Sequence, residues 1–375
     1  MRDYQQCSRC IMDTTDPEIS FNIQGVCNHC ITYDIKAREE LLSQEERESL
    51  LNQVVTTMKD AGKGKPYDCI IGVSGGVDST YVAYLVKKLG LRPLAIHLDN
   101  GWNAELAVHN IEKFLKILDI DLHTHVINWE EFKDLQLSFF KSSIPNLEIP
   151  TDHAITAILY KLASKYGISY IITGSNISTE AVMPASWMGG NQIQSYTLIN
   201  NIHRKFGSKP LKTFPKIGLF GFVWHTFVRK KKLINILNYF DYNKDNAKHL
   251  IQEELGWVDY GYKHFESIFT RFFQGYILPQ KFNMDKRLPH FSSLILSGQM
   301  TRDEALKALE KPVYPETLLQ EDMEFLLKKW SLTQETFNKY MAMPPKTYKE
   351  YGDMSWLFDN TKSLFMQVRK YILSI

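Results

Sequence analysis

Apolar positions change their period along the chain. Residues 69–73, Cys-Ile-Ile-Gly-Val, form a short continuous apolar run, and residues 93–98, 122–127 and 168–173 are three further short segments that read as strands. Runs of this length bounded by turn residues read as buried strands. Residues 81–86, 104–118 and 152–166 instead carry apolar side chains at helical spacing. Strands alternating with helices predict an α/β fold built on a parallel sheet, with ligands at the carboxyl ends of its strands. Residues 35–59 read as one amphipathic helix, broken by Gly62-Lys63-Gly64-Lys65-Pro66. Beyond about Thr213 the chain becomes helical, aromatic-rich and punctuated by proline. The apolar run at 217–228 contains His225, stops at Arg229-Lys230-Lys231-Lys232, and is too short for a bilayer span. It reads as a core or interfacial segment.

Composition narrows this picture. The chain has 375 residues, 44% hydrophobic and 23% charged, which suits a soluble protein with a full α/β core and one or two smaller units. A net charge of +2 argues against nucleic acid as a partner. No signal-peptide core follows Met1 and no run reaches a membrane span, so a cytoplasmic protein is expected. The expected units are a zinc-ribbon module at 1–35, a helical connector at 36–65, a nucleotide domain at 66–213 and a helical substrate-binding region at 214–375.

Four of the five cysteines fall at Cys7-x2-Cys10-x16-Cys27-x2-Cys30. Two such knuckles can close a tetrahedral sulfur cage, so a structural Zn²⁺ is expected; an iron–sulfur cluster is the alternative, since four thiolates do not choose the metal. His29 lies between two ligands and reads as a solvent-facing knuckle residue. His123 and His125 share one face of a predicted strand and have no third ligand nearby in sequence. Cys69 lies in a predicted buried strand and reads as inert packing.

Ser74-Gly75-Gly76-Val77-Asp78-Ser79-Thr80 joins the first predicted strand to a helix. Gly75 and Gly76 allow a tight turn and close approach. The first-turn N–H groups and the hydroxyls of Ser74, Ser79 and Thr80 make an anion site. The wording is not that of a Walker loop. It resembles the pyrophosphate loop, or PP-loop, of the N-type ATP pyrophosphatases, which implies cleavage of ATP between its α and β phosphates. Ser74, Asp99 and Gly174 all follow predicted strands, which predicts one nucleotide site built from three loops.

The second half holds a polar–aromatic stretch, Gly256-Trp257-Val258-Asp259-Tyr260-Gly261-Tyr262-Lys263-His264-Phe265-Glu266-Ser267, then Arg271-Phe272-Phe273-Gln274 and Asp285-Lys286-Arg287-Leu288-Pro289-His290. Its basic residues suit phosphates or a sugar-nucleotide diphosphate. Glu266 would either position Lys263 or hold a substrate hydroxyl. With the cysteine pairs, SGGVDST, HLDNGW, ITGSN and SGQMTRDEAL, these motifs resemble the N-acetyl sugar amidotransferase family of bacterial surface-polysaccharide biosynthesis. The resemblance runs from about Cys7 to Pro312. It implies a HUP-like parallel-sheet PP-loop domain, ATP and Mg²⁺, and conversion of a sugar N-acetyl group to an acetamidino group through an adenylate and ammonia. It implies that Asp78 helps hold the phosphate–metal cluster and that the Asp99–Gly101 loop contacts adenosine. Gly174 falls in the same nucleotide site. Asn176 and Glu180 would contact metal, phosphate or substrate. From charge complementarity, Lys263 would stabilise the α-phosphate, while Arg271, Lys286, Arg287 and His290 would hold the substrate's diphosphate or sugar.

Two other readings compete. A tRNA-thiolating enzyme also joins zinc knuckles to a PP-loop, but such enzymes usually carry sulfur on an active-site cysteine or use a cluster held by cysteines near the loop, and only Cys69 remains outside the knuckles. A non-catalytic nucleotide-binding protein whose ribbon docks a partner would not need the intact Ser/Gly/Asp loop. No cysteine remains to hydrolyse glutamine either. A separate glutaminase is therefore expected; the resemblance adds a barrel-type companion like the imidazole-glycerol-phosphate synthase pair.

Overall fold

The computed structural model describes residues 3–188, 196–261 and 265–352. Five strands form one all-parallel sheet: β1 (Cys69–Gly72), β2 (Pro93–Asp99), β3 (Asp121–Val126), β4 (Tyr170–Thr173) and β5 (Lys232–Asn235), in the order β3-β2-β1-β4-β5. Chain order runs outward from β1 in one direction and then resumes on its other side. That reversal opens a crevice at the carboxyl ends of β1 and β4, where open α/β sheets bind ligands.

Before the sheet come α1 (Asn28–Glu40) and α2 (Gln44–Ala61); between its strands lie α3 (Val77–Lys88), α4 (Glu105–Leu118), α5 (Trp129–Ser142) and α6 (Ile149–Lys165). Short helices α7 (Ile177–Glu180), α8 (Ala185–Met188), α9 (Tyr196–Phe206) and α10 (Leu219–Val223) precede β5. After it come α11 (Lys244–Leu255), α12 (Ile268–Phe272), α13 (Leu278–Phe282), α14 (Arg287–Leu296), α15 (Arg302–Leu309), α16 (Glu316–Trp330) and α17 (Gln334–Met341).

Alternation along β1 sends neighbouring side chains to opposite faces. Ile71 packs with Val55 of α2, Val82 of α3, Phe114 of α4 and Ile251 of α11. Ile70 packs on the other face against Ile158 and Leu162 of α6. A third core, rich in aromatics, joins Phe132 and Phe139 of α5 to Phe269, Trp330 and Phe337 of the C-terminal helices.

Two boundaries differ from the sequence reading. The helix expected over 35–59 is two helices, because Ser43 accepts from the Glu46 N–H while Glu46 returns to the Ser43 N–H, a capping box that starts α2 afresh. The sheet domain does not stop at 213: β5 pairs with β4, and α11 packs against α3. The exposed edge strand β5 has no alternating pattern long enough to announce itself.

Candidate active site

The loop after β1 closes against the N-terminus of α3. Gly75 has φ of +86°, in the left-handed region, and a β-carbon there would stand 2.9 Å from the Tyr260 hydroxyl and 3.0 Å from the Ala107 carbonyl. Only glycine meets both demands. The Gly76 N–H reaches the Ser74 hydroxyl at 3.3 Å, and the Ser74 and Ser79 hydroxyls lie 3.2 Å apart. The N–H groups of Val77, Asp78 and Ser79 occupy the first turn of α3 and have no intrahelical acceptor. Hydroxyls, free amides and the helix dipole converge on one spot suited to a phosphate.

The stretch at 256–267 braces this loop. The Trp257 indole N–H and the Tyr260 hydroxyl both donate to the Gly75 carbonyl at 2.7 Å, and Asn110 donates to the Tyr260 oxygen at 3.1 Å. Burial pushes the Tyr260 phenol well above its ordinary pKa, so it stays a donor. Asn103 forms an antiparallel bridge with Ser267, and the Ala104 N–H donates to the Glu266 carbonyl at 2.9 Å. This seam carries Glu266 to the loop, where its carboxylate would lie 3.6 Å from a β-carbon on Gly76.

These elements enclose a cleft of about 600 Å³. All three predicted loops contribute: Ser74 and Gly76 after β1, Asn100 and Asn103 after β2, Gly174 and Ser175 after β4. Gly174 packs close to α3; a β-carbon there would meet Asp78 Cβ at 3.3 Å. Asp78, Glu180 and Glu266 line the cleft beside the loop. Tyr242 donates to Asp78 Oδ1 and fixes the carboxylate; burial keeps that phenol protonated.

Sequence reasoning missed the acidic wall opposite the loop. Glu148, which caps the start of α6, and Asp152 in its first turn face the cleft with Thr270 and Gln274. Glu148 accepts from the Thr270 hydroxyl at 2.6 Å and the Gln274 amide at 3.1 Å. Burial, and secondly the Glu148 charge, hold the Asp152 carboxyl well above the usual carboxylate range, while Lys286 acts against that rise. His97 was missed too: its Nδ1–H donates to the Val73 carbonyl at 3.0 Å, and its Nε2 accepts from Asn103 at 3.0 Å. The period-3.6 spacing of Glu148 and Asp152 was the available signal.

Several expected contacts are placed elsewhere. Asp99 Oδ1 accepts the Gly101 N–H at 2.9 Å and the Asn103 amide at 3.3 Å, so it ties its own loop, and Asn100 and Asn103 face the cleft instead. The Gly101 carbonyl turns away to Lys329, which lies over the Trp102 and Trp129 rings. Thr80 is buried beneath the loop and donates to the Gly76 carbonyl at 2.9 Å. Asn176 is a buried cap: it accepts the Thr179 N–H at 2.8 Å and returns to the Gly174 carbonyl at 3.1 Å.

The basic clamp largely dissolves. Arg271 makes a buried, two-pronged pair with Asp322 at 2.6 Å. Arg287 spends its fork on Asp285 and on the Lys311 carbonyl. His290 lies 3.4 Å from the Thr179 carbonyl. Lys286 rests against the sulfurs of Met183 and Met188, behind the wall that holds Asp152. Lys263 lies outside the described residues.

The four cysteines form a separate, closed centre. Sulfur pairs Cys7–Cys30, Cys10–Cys27 and Cys27–Cys30 each stand 3.7 Å apart, and all four side chains are buried. A tetrahedron with metal–sulfur bonds of about 2.3 Å has edges of about 3.8 Å. Backbone N–H groups of Arg9, Cys10 and Cys27 point at Cys7 Sγ, between 3.2 and 3.5 Å, which favours thiolate. The set therefore fits a Zn²⁺ ion. His29 is not a ligand, and it is not solvent-facing either: its Nε2 pairs with buried Asp16 at 2.7 Å. Among the described residues no other three metal-ligating side chains converge.

Fold and cleft together define a parallel-sheet protein with a phosphate loop at its topological switch point. Residues 266–364 match the family described as "LPS biosynthesis protein WbpG-like, C-terminal domain". An uncharacterized protein of Methanocaldococcus jannaschii is 24% identical over 84% of this chain and 97% of its own length. A tRNA-specific 2-thiouridylase of Fusobacterium nucleatum is 30% identical over 30% of this chain and 34% of its own, about a third of that relative. Among solved structures, an NMN synthetase from Francisella tularensis covers 57% of this chain and 96% of its own, at 16% identity and a TM-score of 0.30.

Proposed function

We propose that the cleft adenylates an amide oxygen with ATP and passes the activated carbon to ammonia, turning a sugar-borne N-acetyl group into an acetamidino group for surface polysaccharide. One observation carries the reading. The segment that matches the WbpG-like domain begins at Glu266, and Glu266, Ser267, Thr270 and Gln274 line the same cleft as the phosphate loop. This shared lining supports assigning the polysaccharide chemistry to the cleft that holds the phosphate loop.

The chemistry follows from what an amide lacks. Its carbon is a weak electrophile and its oxygen a poor leaving group. Attack of that oxygen on the α-phosphorus breaks the α–β bridge and releases pyrophosphate. Ammonia then adds at carbon, the carbon–oxygen bond breaks, and AMP leaves with the former amide oxygen. Ser74, Ser79 and the first-turn amides of α3 would receive the departing pyrophosphate. A bound Mg²⁺ would offset phosphate charge. Asp78, beside the loop, would hold it together with phosphate oxygens. Glu148 and Asp152 face the loop across the cleft, and Asp152, whose proton is held, would give it to the departing AMP oxygen. Asp99, Gly101, Thr80, Asn176, Arg271 and Arg287 would support these groups rather than touch substrate.

A tRNA-thiolating activity, suggested by the thiouridylase relatives, would use an active-site cysteine to carry sulfur or a cluster held by cysteines near the loop. Four of the five cysteines converge on one centre, and Cys69 is fully buried in β1, where burial pushes its thiol up. The ammonia reading also needs a separate glutaminase, which we place among partners with the barrel-type companion.

The experiment is mass spectrometry of UDP-linked diacetamido sugars incubated with protein, MgATP and ammonium. Replacement of oxygen by NH, a loss of about one mass unit, is expected only with ammonium present. An unchanged sugar together with thiolated tRNA would overturn the reading.

A further inference from the structure

Charge is unevenly distributed along the chain. Residues 181–240 contain nine lysines and arginines and no aspartate or glutamate, in a protein whose total is only +2. The helical run from α10 through the π-helical turn Trp224–Val228 lies in the middle of that stretch. Its inner side is anchored: Phe222 packs edge-on to Tyr160 of α6 at 5.6 Å, and His225 bonds the Ser164 hydroxyl at 3.1 Å. Its outer side is apolar and exposed. Phe220 is 90% exposed, Trp224 52% and Val228 54%, with Val223 beside them. Lys216, Arg229 and Lys230 are exposed at the two ends of the run. Lys231, by contrast, is buried and donates to the Ala163 and Ile168 carbonyls, which pins the basic end to the sheet domain.

A protruding phenylalanine and tryptophan flanked by cations match the chemistry of an anionic bilayer surface. Aromatic rings settle at headgroup depth, and lysine and arginine meet the lipid phosphates. No described helix is long and apolar enough to cross a membrane. We infer that residues 216–230 form a peripheral docking face for anionic phospholipid. The inference is independent of the reaction in the cleft, since none of these residues lines it.

The test is co-sedimentation of the full chain with vesicles of phosphatidylglycerol and phosphatidylcholine, against pure phosphatidylcholine. The wild type is expected to bind the anionic vesicles, more weakly at high salt. Phe220→Ser with Trp224→Ser, and separately Arg229→Glu with Lys230→Glu, should each lower the partition about tenfold or more. Nucleotide turnover by both variants should be unchanged, which shows that they fold. Absence of wild-type binding, or equal binding by either variant, overturns the inference. So does a wild-type dimer that becomes monomeric in the Phe220/Trp224 variant, because the face would then be an interface between copies.

Discussion

Asp152 is a carboxyl placed where its charge is disfavoured. The unfolded chain releases that proton at the ordinary carboxylate pKa, whereas the folded protein holds it to higher pH, chiefly through burial. Between those two values the folded state binds more protons, so stability falls as pH rises through the window and levels off above it. Asp152→Asn should therefore raise Tm more at pH 8 than at pH 5 while slowing ammonia-dependent turnover. Equal shifts at both pH values would contradict the assignment. Gly75 sets the opposite kind of limit. Gly75→Ala combines a left-handed φ with two close contacts and should cost about 1–3 kcal/mol. It should also abolish the rise in Tm that MgATP gives the wild type. The glycines and hydroxyls of this loop were legible because their chemistry is local. Trp257 and Tyr260 were singled out in sequence, but their bonds to Gly75 depend on chain 182 and 185 residues away.

At the scale of elements, strands and helices of the sheet domain follow the hydrophobic period closely, and all three predicted loops reach one cleft. What the pattern conceals is pairing between charges. Arg271 reads as a phosphate ligand from charge alone, yet it joins α12 to α16 through Asp322, with Tyr314 also donating to that carboxylate. Arg271→Met should cost about 3–5 kcal/mol, because it leaves Asp322 buried without its cation. Arg271→Met with Asp322→Leu should recover much of that loss in urea unfolding. Arg287→Lys, which removes a fork already committed to Asp285 and Lys311, should leave the KM for sugar unchanged. An elevated KM would restore Arg287 to the substrate site. Short, exposed β5 was hidden for a related reason: pairing with β4, rather than its own sequence, makes it a strand.

Across the whole molecule, the N-terminal module is part of the C-terminal one. Ile11 and Met12 pack with Leu288 of α14 and Ala305 of α15. Arg302 donates to the Cys10 carbonyl at 3.2 Å and to the Gln6 side chain at 2.9 Å. The cysteine spacing announces the metal centre, but nothing local announces contacts that span 292 residues of chain. Elemental analysis should find one zinc per chain. Cys27→Ser should remove it and open α14 and α15 to protease, since binding energy at a structural zinc is folding energy. Protection of those helices in the metal-free protein would contradict the coupling. Their loosening would reach the cleft through Val182, which bonds Ser293 at 3.0 Å, and through Gln299, which accepts from the Lys244 N–H and donates to the Tyr242 carbonyl.

The central claim is that the phosphate loop receives pyrophosphate from an adenylation. It is tested most directly by separating the nucleotide products formed from MgATP, sugar substrate and ammonium. The account predicts AMP and pyrophosphate in equal amounts, with Asp78→Ala slowing their release about a hundredfold or more while leaving Tm nearly unchanged. ADP and orthophosphate as the products would contradict it.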